Sequence, residues 1–231
     1  MVRSDNNTIQ KFENRQILAK KVVSSICNDL KEVLQHNKTA NILLSGGTSP
    51  APIYKLLSEE CKIEGKLKIG LVDERFVPTD NPKSNELLLR KTLGKLIDRK
   101  NVFKGMVFNP NNARENLILL KEEYKDFIAQ TDLLLLGMGK DGHTASIFPS
   151  DSKSNRIRKN SIIDIFNTKA PKPPIKRITC SPGMILNARY IYLILYGTTK
   201  LELLENARFS LPIHDITQRR KDIKIFYCDD D

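Results

Sequence analysis

Short apolar runs of strand length alternate along this chain with segments whose apolar residues recur at helical spacing. From Phe12 to His36, the residues Ile17, Val22, Ile26, Leu30, Val33 and Leu34 predict a long amphipathic helix ending near His36-Asn37-Lys38. The polar stretch Met1 to Gln10 before it reads as loosely held. Ala40 to Leu44 predicts a strand, Pro52 to Leu57 a helix with proline in its first turn, and Leu67 to Val72 a second strand. Ser84-Asn85 caps a helix through Leu93, and Asn101 to Phe108 holds a short strand. Ala113 to Ile128 reads as one helix, with Leu117, Leu120, Tyr124 and Phe127 as its buried stripe. Leu133 to Leu136 forms a strand that stops abruptly at Gly137.

Beyond that point, Ser150 to Asn160 is polar and basic and reads as an exposed excursion. Strands are predicted at Ser161 to Phe166, Lys176 to Cys180, Tyr190 to Tyr196 and Ile223 to Cys228. Asn167 to Pro174, with three prolines, reads as a loop. Short helices are predicted at Pro182 to Ala188 and Pro212 to Ile216, and Thr198-Thr199 caps another that begins at Lys200. The alternation of strand and helix predicts an α/β fold: an open, mostly parallel, doubly wound sheet flanked by helices. With 231 residues and no linker composition, a single α/β domain over residues 1–231 is expected.

The polar residues that matter lie where strands end. In an open α/β sheet, ligands bind outside the carboxyl ends of the strands. Ser45-Gly46-Gly47-Thr48 follows the first predicted strand and precedes a helix. Glycines allow close backbone approach, and the helix start offers free N–H groups to an anion. The same residues also suit a plain tight turn, and the Gly-Lys-Ser/Thr ending of a Walker loop is missing. Asp73 and Arg75 follow the next strand and, two apart on extended chain, face the same way. Asp141 and His143 sit among Gly137, Gly139 and Gly142 after the leucine strand. Lys200 falls in the first turn of a helix, where a cation is unfavourable unless an anion binds there. The other two histidines read as structural: His36 at a helix end and His214 at the surface or in packing.

Composition narrows the partners. The formal net charge of +11 suits nucleic acid, an anionic surface or a small anionic substrate. The basic residues are scattered, however, and Trp is absent, so neither a basic face nor a stacking platform supports nucleic acid. Cys27, Cys61, Cys180 and Cys228 show no metal-ligand spacing and read as free thiols. No metal is expected. Without an apolar leader or a run of membrane length, the chain is expected to be cytoplasmic, with no membrane partner.

At this point the chain resembles the 6-phosphogluconolactonases, within the superfamily that also holds the glucosamine-6-phosphate deaminases. The resemblance rests on Ser45 to Pro50, on Asp73 to Pro78 with Ser84-Asn85, and on Gly137 to Pro149. Arg177-Ile178-Thr179 and Gly197 to Lys200 complete it. It implies a Rossmann-like fold of the sugar-phosphate isomerase type and hydrolysis of 6-phosphoglucono-1,5-lactone. No cofactor and no covalent intermediate are implied, and the partner is a small phosphorylated sugar lactone. The deaminases carry a Glu immediately before the proline where this chain has Phe148, and tend to an aromatic residue where it has Arg75. Both differences favour the lactonase over the deaminase. Under this resemblance, His143 is the general base, Asp141 orients it or stabilises its imidazolium, and Asp73 and Arg75 complete the catalytic set. Backbone N–H groups around Gly139 and Lys140, or Arg75, are the candidates to stabilise the oxyanion. Ser45, Gly46, Gly47, Thr48, Arg177 and Lys200 are left to hold substrate and phosphate. A monomer or weak homodimer is expected. A non-catalytic domain that binds sugar phosphate or nucleic acid stays open as the alternative of another class.

Overall fold

A computed structural model describes residues 7–63, 67–97, 103–206 and 210–230. Its centre is β2 (Ala40–Leu44), hydrogen-bonded in parallel on one side to β3 (Leu67–Leu71) and on the other to β6 (Leu133–Gly137). From β3 the chain winds outward to β5 (Phe103–Lys104). From β6 it winds the other way, through β9 (Tyr190–Tyr196) and β10 (Lys224–Cys228), to β1 (Ile9–Phe12) at the far edge. All seven strands run parallel. Leu133 to Leu136 and nearly all of β9 are buried, as expected for central strands covered on both faces. The winding direction reverses between β2 and β6, and such a reversal opens a crevice at the carboxyl ends of the two strands.

Helices cover the sheet much as their sequence patterns predict. Helix α1 (Arg15–His36) is capped by Asn14, whose side chain accepts from the Ile17 N–H at 2.9 Å. Its buried stripe includes Val22, Ile26, Leu30 and Val33. Helix α2 (Ala51–Glu60) has its proline in the first turn, and Ser84 caps α3 (Asn85–Leu93). No helix among the described residues is long and apolar enough to cross a membrane.

Several expectations are corrected. Strand β1 forms where loosely held chain was expected, because Asn7 anchors it to Thr217, Arg220 and Ile223 and β10 supplies a ladder. Met1 to Asn6, Asn101 and Val102 lie outside the described residues. The helix predicted from Ala113 to Ile128 breaks into α4 (Ala113–Glu123) and α5 (Lys125–Ala129). Its break point, Tyr124, is buried: its phenol accepts from the Leu71 N–H and donates to the Lys104 carbonyl, tying the chain to the sheet. The supposed excursion after Ser150 holds α6 (Ser152–Ile157), fixed by buried Asp151 accepting from the Ser154 N–H and hydroxyl.

A second sheet was not foreseen. Strand β4 (Asp73–Arg75) pairs antiparallel with β8 (Lys176–Cys180), which pairs with β7 (Ile165–Lys169). Strand β7 thus lies later than the predicted Ser161–Phe166 and takes up part of the predicted proline-rich loop. Helix α7 spans Pro182–Leu186. Helix α8 (Thr198–Glu205) begins at Thr198 itself, capped by Gly197 at φ 84° with no side-chain bond, so the two threonines lie inside it. Helix α9 (Pro212–Arg219) runs past the predicted Ile216.

Candidate active site

The crevice is a cavity of about 240 Å³. The loop after β2 supplies Ser45 to Pro50, the loop after β6 supplies Gly137 to Gly139, His143 and Ala145, and α8 supplies Lys200. The small sheet adds Asp73, Arg75 and Arg177, and α3 adds Asn85. Every residue expected to act catalytically or to bind therefore reaches the cavity wall, apart from Asp141 and Lys140, which are exposed and do not line it.

Asp141 stands behind His143. Its Oδ1 lies 2.5 Å from His143 Nδ1 and also accepts from the His143 backbone N–H at 3.2 Å. Partial burial pushes the Asp141 carboxyl up, but the hydrogen bonds and charge of His143 outweigh this and hold it below its ordinary value. An ionised carboxylate only accepts, so Nδ1 carries the proton in the neutral ring and Nε2 is the nitrogen able to take one. The spacing of two residues left this contact open, and the loop makes it by a tight turn. Gly142 takes φ 75°, and its N–H donates to the Gly139 carbonyl at 3.1 Å. A Cβ on Gly139 would lie 2.1 Å from the imidazole, so only glycine lets the ring pack there. On its other side the ring meets Phe148, with centroids 4.6 Å apart, and Arg177 lies over the same phenyl ring. Phe148 therefore fixes the attitude of His143.

The Gly139 N–H donates to the His143 carbonyl at 2.9 Å, so it is spent inside the loop and unavailable to an oxyanion. Lys140 is exposed and does not line the cavity. Of the oxyanion donors expected, Arg75 remains at the wall, with its Nε buried and without a partner. Arg75 sits directly opposite Arg177 across the antiparallel ladder. Like charges so placed repel. Burial first, and then the Arg75 charge, push the Arg177 guanidinium below its ordinary value, with Asp73 and Glu74 opposing. Two guanidiniums and Lys200 around one cavity favour an anion between them. Asp73 is buried, and its Oδ2 accepts from the Ser146 hydroxyl at 2.6 Å.

Glu74, between Asp73 and Arg75, was given no role from the sequence. On extended chain it faces away from Asp73 and Arg75, and there it is buried. It accepts from the N–H groups of Arg75, Asn85 and Glu86 and from the Ser84 hydroxyl, which places a carboxylate at the start of α3. Burial raises its pKa, the backbone hydrogen bonds lower it, and the net result is about 7. The alternation that put Asp73 and Arg75 on one face was the available signal for this residue. Asn85 was read as part of a helix cap and of the motif behind the resemblance, with no role of its own, and it lines the cavity. Ser45 Oγ, Arg75 Nε and Asn85 Oδ1 are buried without a partner, all three on residues of this wall. His214 is buried with Nε2 2.9 Å from the Leu203 carbonyl, and His36 is exposed at the end of α1, both away from the cavity. Among the described residues no group of three His, Cys, Asp or Glu side chains could hold a metal ion.

Residues 13–224 match the family described as glucosamine-6-phosphate isomerases/6-phosphogluconolactonase. A 6-phosphogluconolactonase of Helicobacter pylori is 30% identical over 223 residues, covering 94% of this chain and 96% of that protein. One from Pseudomonas putida is 28% identical over 216 residues, covering 91% of this chain and 86% of the other. The crystal structure of a 6-phosphogluconolactonase from Shewanella baltica superposes with a TM-score of 0.88 at 30% identity, covering 96% of this chain and 98% of that one.

Proposed function

The chain belongs to the glucosamine-6-phosphate isomerase/6-phosphogluconolactonase family, and we propose that it hydrolyses 6-phospho-D-glucono-1,5-lactone to 6-phospho-D-gluconate, the second step of the oxidative pentose phosphate pathway. The observation that carries this reading is a His–Asp pair facing three cations across one cavity. The relatives named 6-phosphogluconolactonase, matched over most of their length, support it. So does Phe148 against the imidazole, where the deaminase sister activity uses a carboxylate.

In this mechanism His143 Nε2 takes a proton from water as the water oxygen bonds to the lactone carbonyl carbon. General-base help of this kind contributes about 10²–10⁴-fold. Asp141 keeps the ring in the required tautomer and steadies the imidazolium. Arg75 faces the oxyanion of the tetrahedral intermediate. When the carbon–ring-oxygen bond breaks, the imidazolium returns its proton to the departing alkoxide. The Gly46–Gly47 loop, Arg177 and Lys200 hold the remote phosphate, and this positions the carbonyl over the base. Asp73, bonded to Ser146, sets the wall between Arg75 and the His143 loop. The same reading puts the enzyme in the cytoplasm, working as one unit over residues 1–231, as a monomer or weak homodimer and without nucleic acid. The test is hydrolysis of lactone freshly made by oxidising glucose 6-phosphate, followed by acid release. A rate no higher than the spontaneous background overturns the proposal, and ammonia released from glucosamine 6-phosphate would move it to the sister activity.

A further inference from the structure

Asn85 belongs to no role assigned so far, yet it is 2% exposed and lines the cavity. Its amide orientation is fixed by its surroundings. The nitrogen Nδ2 donates to the Asp73 carbonyl at 2.9 Å, and a carbonyl oxygen there would be repelled. The other end, Oδ1, therefore faces Gly46, where a Cβ would lie 1.8 Å away. That oxygen has no donor within the protein. A buried acceptor left empty is costly, so a group arriving in the cavity has reason to complete it.

The chemistry of the arriving group is constrained. Asn85 Oδ1 needs a hydrogen. An ionised phosphate ester, a lactone carbonyl and a ring oxygen all offer lone pairs instead. The donors on a phosphorylated sugar lactone are its ring hydroxyls. Close by on the same wall, Ser45 Oγ is a second orphan able to give or take a hydrogen, and Arg75 Nε is an orphan donor. One acceptor, one donor and one group of either kind suit an alcohol, which also gives one hydrogen and takes others. We propose that Asn85 is a specificity-determining residue that accepts a hydrogen bond from one ring hydroxyl of the substrate. This inference rests on the lactonase reading above. It divides the cavity by chemistry: Arg177, Lys200 and the glycine loop take the anion, while Asn85 reads the polyol.

The test crosses a side-chain change with hydroxyl deletions. The lactones of the 2-deoxy, 3-deoxy and 4-deoxy sugar phosphates are compared with the parent lactone on the wild type, Asn85→Ala and Asn85→Asp. A site built to bond a hydroxyl rejects the analogue that lacks it. The wild type is expected to lose about 10- to 100-fold in kcat/KM on one deoxy lactone. Asn85→Ala is expected to lose a similar factor on the parent and little more on that same analogue. Asn85→Asp keeps an acceptor at Oδ1 but sets a second oxygen against the Asp73 carbonyl, so it is expected to lose rate on every lactone while still rejecting the same analogue; the wild-type comparison alone serves if neither variant folds. An equal loss by Asn85→Ala on all four lactones indicates a purely structural role and overturns the proposal. A wild type that hydrolyses all three deoxy lactones within a few-fold of the parent overturns it without any variant. Failure of the wild type on the parent lactone is a different result, since it removes the activity and not the role of Asn85 within it.

Discussion

On the His143 side of the cavity the polar groups are already engaged. His143 is held by Asp141 and by the Gly139 N–H, Thr144 donates to the Gly137 carbonyl, and Ser146 donates to Asp73. On the side formed by Ser45, Arg75 and Asn85, three buried atoms have no partner. The difference separates two tasks. A proton-transfer group must be fixed before substrate arrives, since reorganising it during reaction would add to the barrier. A recognition wall is more useful unfilled, because only the right ligand then recovers the missing hydrogen bonds.

The largest effect should come from the prepared side. His143→Ala is predicted to lower kcat by about 10²–10⁴-fold with KM nearly unchanged, as measured by steady-state lactone hydrolysis. A full rate in that variant would sink the general-base role. Next is Gly46→Ala, which thrusts a methyl within 1.8 Å of Asn85 Oδ1. Overpacking of this kind costs about 1–3 kcal/mol, readable as a lower urea midpoint together with weaker substrate binding. An unchanged midpoint would mean the glycine loop and Asn85 do not pack as described. The smallest effect concerns Glu74, which underpins the unfilled wall. Its folded pKa of about 7 lies above the ordinary value of 4.5. Its contribution to stability is thus fully present below about pH 4.5 and is lost as pH rises through 7. Glu74→Gln should remove a downward slope of at most about 1.4 kcal/mol per pH unit across that window, seen by comparing urea unfolding of variant and wild type. Parallel stability–pH curves would show that Glu74 does not titrate there.

Where the sequence was legible, one local pattern decided the outcome. The uninterrupted run Tyr190–Tyr196 is a buried strand as predicted, and Ser84 caps its helix through the Leu87 N–H. Partners remote in sequence defeated local reading. Strand β1 depends on β10 at the other end of the chain, and β4 is a charged triplet that becomes a strand because β8 pairs with it. Tyr124 looked like one more residue of a helical stripe, but its hydroxyl bonds to β3 and β5 break the helix. Within the site, residue types and strand-end positions pointed to the cavity. Contacts needed the backbone: the Gly139 N–H, which looked available, turns inward to His143, and Asn85, which looked like a local cap, reaches across to Gly46.

Arg75 and Arg177 face each other across the β4–β8 ladder, and this ties the folded state to what surrounds it. Their like charges repel in the folded chain, and under the proposed function the anionic substrate held beside them offsets that repulsion there and not in the unfolded chain. A ligand bound only by the folded form adds RT ln(1 + [L]/Kd), about 2.7 kcal/mol at a hundredfold excess over Kd. Under the proposed function the substrate and product would therefore guard the fold as well as occupy the cavity, which limited proteolysis with and without added 6-phosphogluconate reads directly.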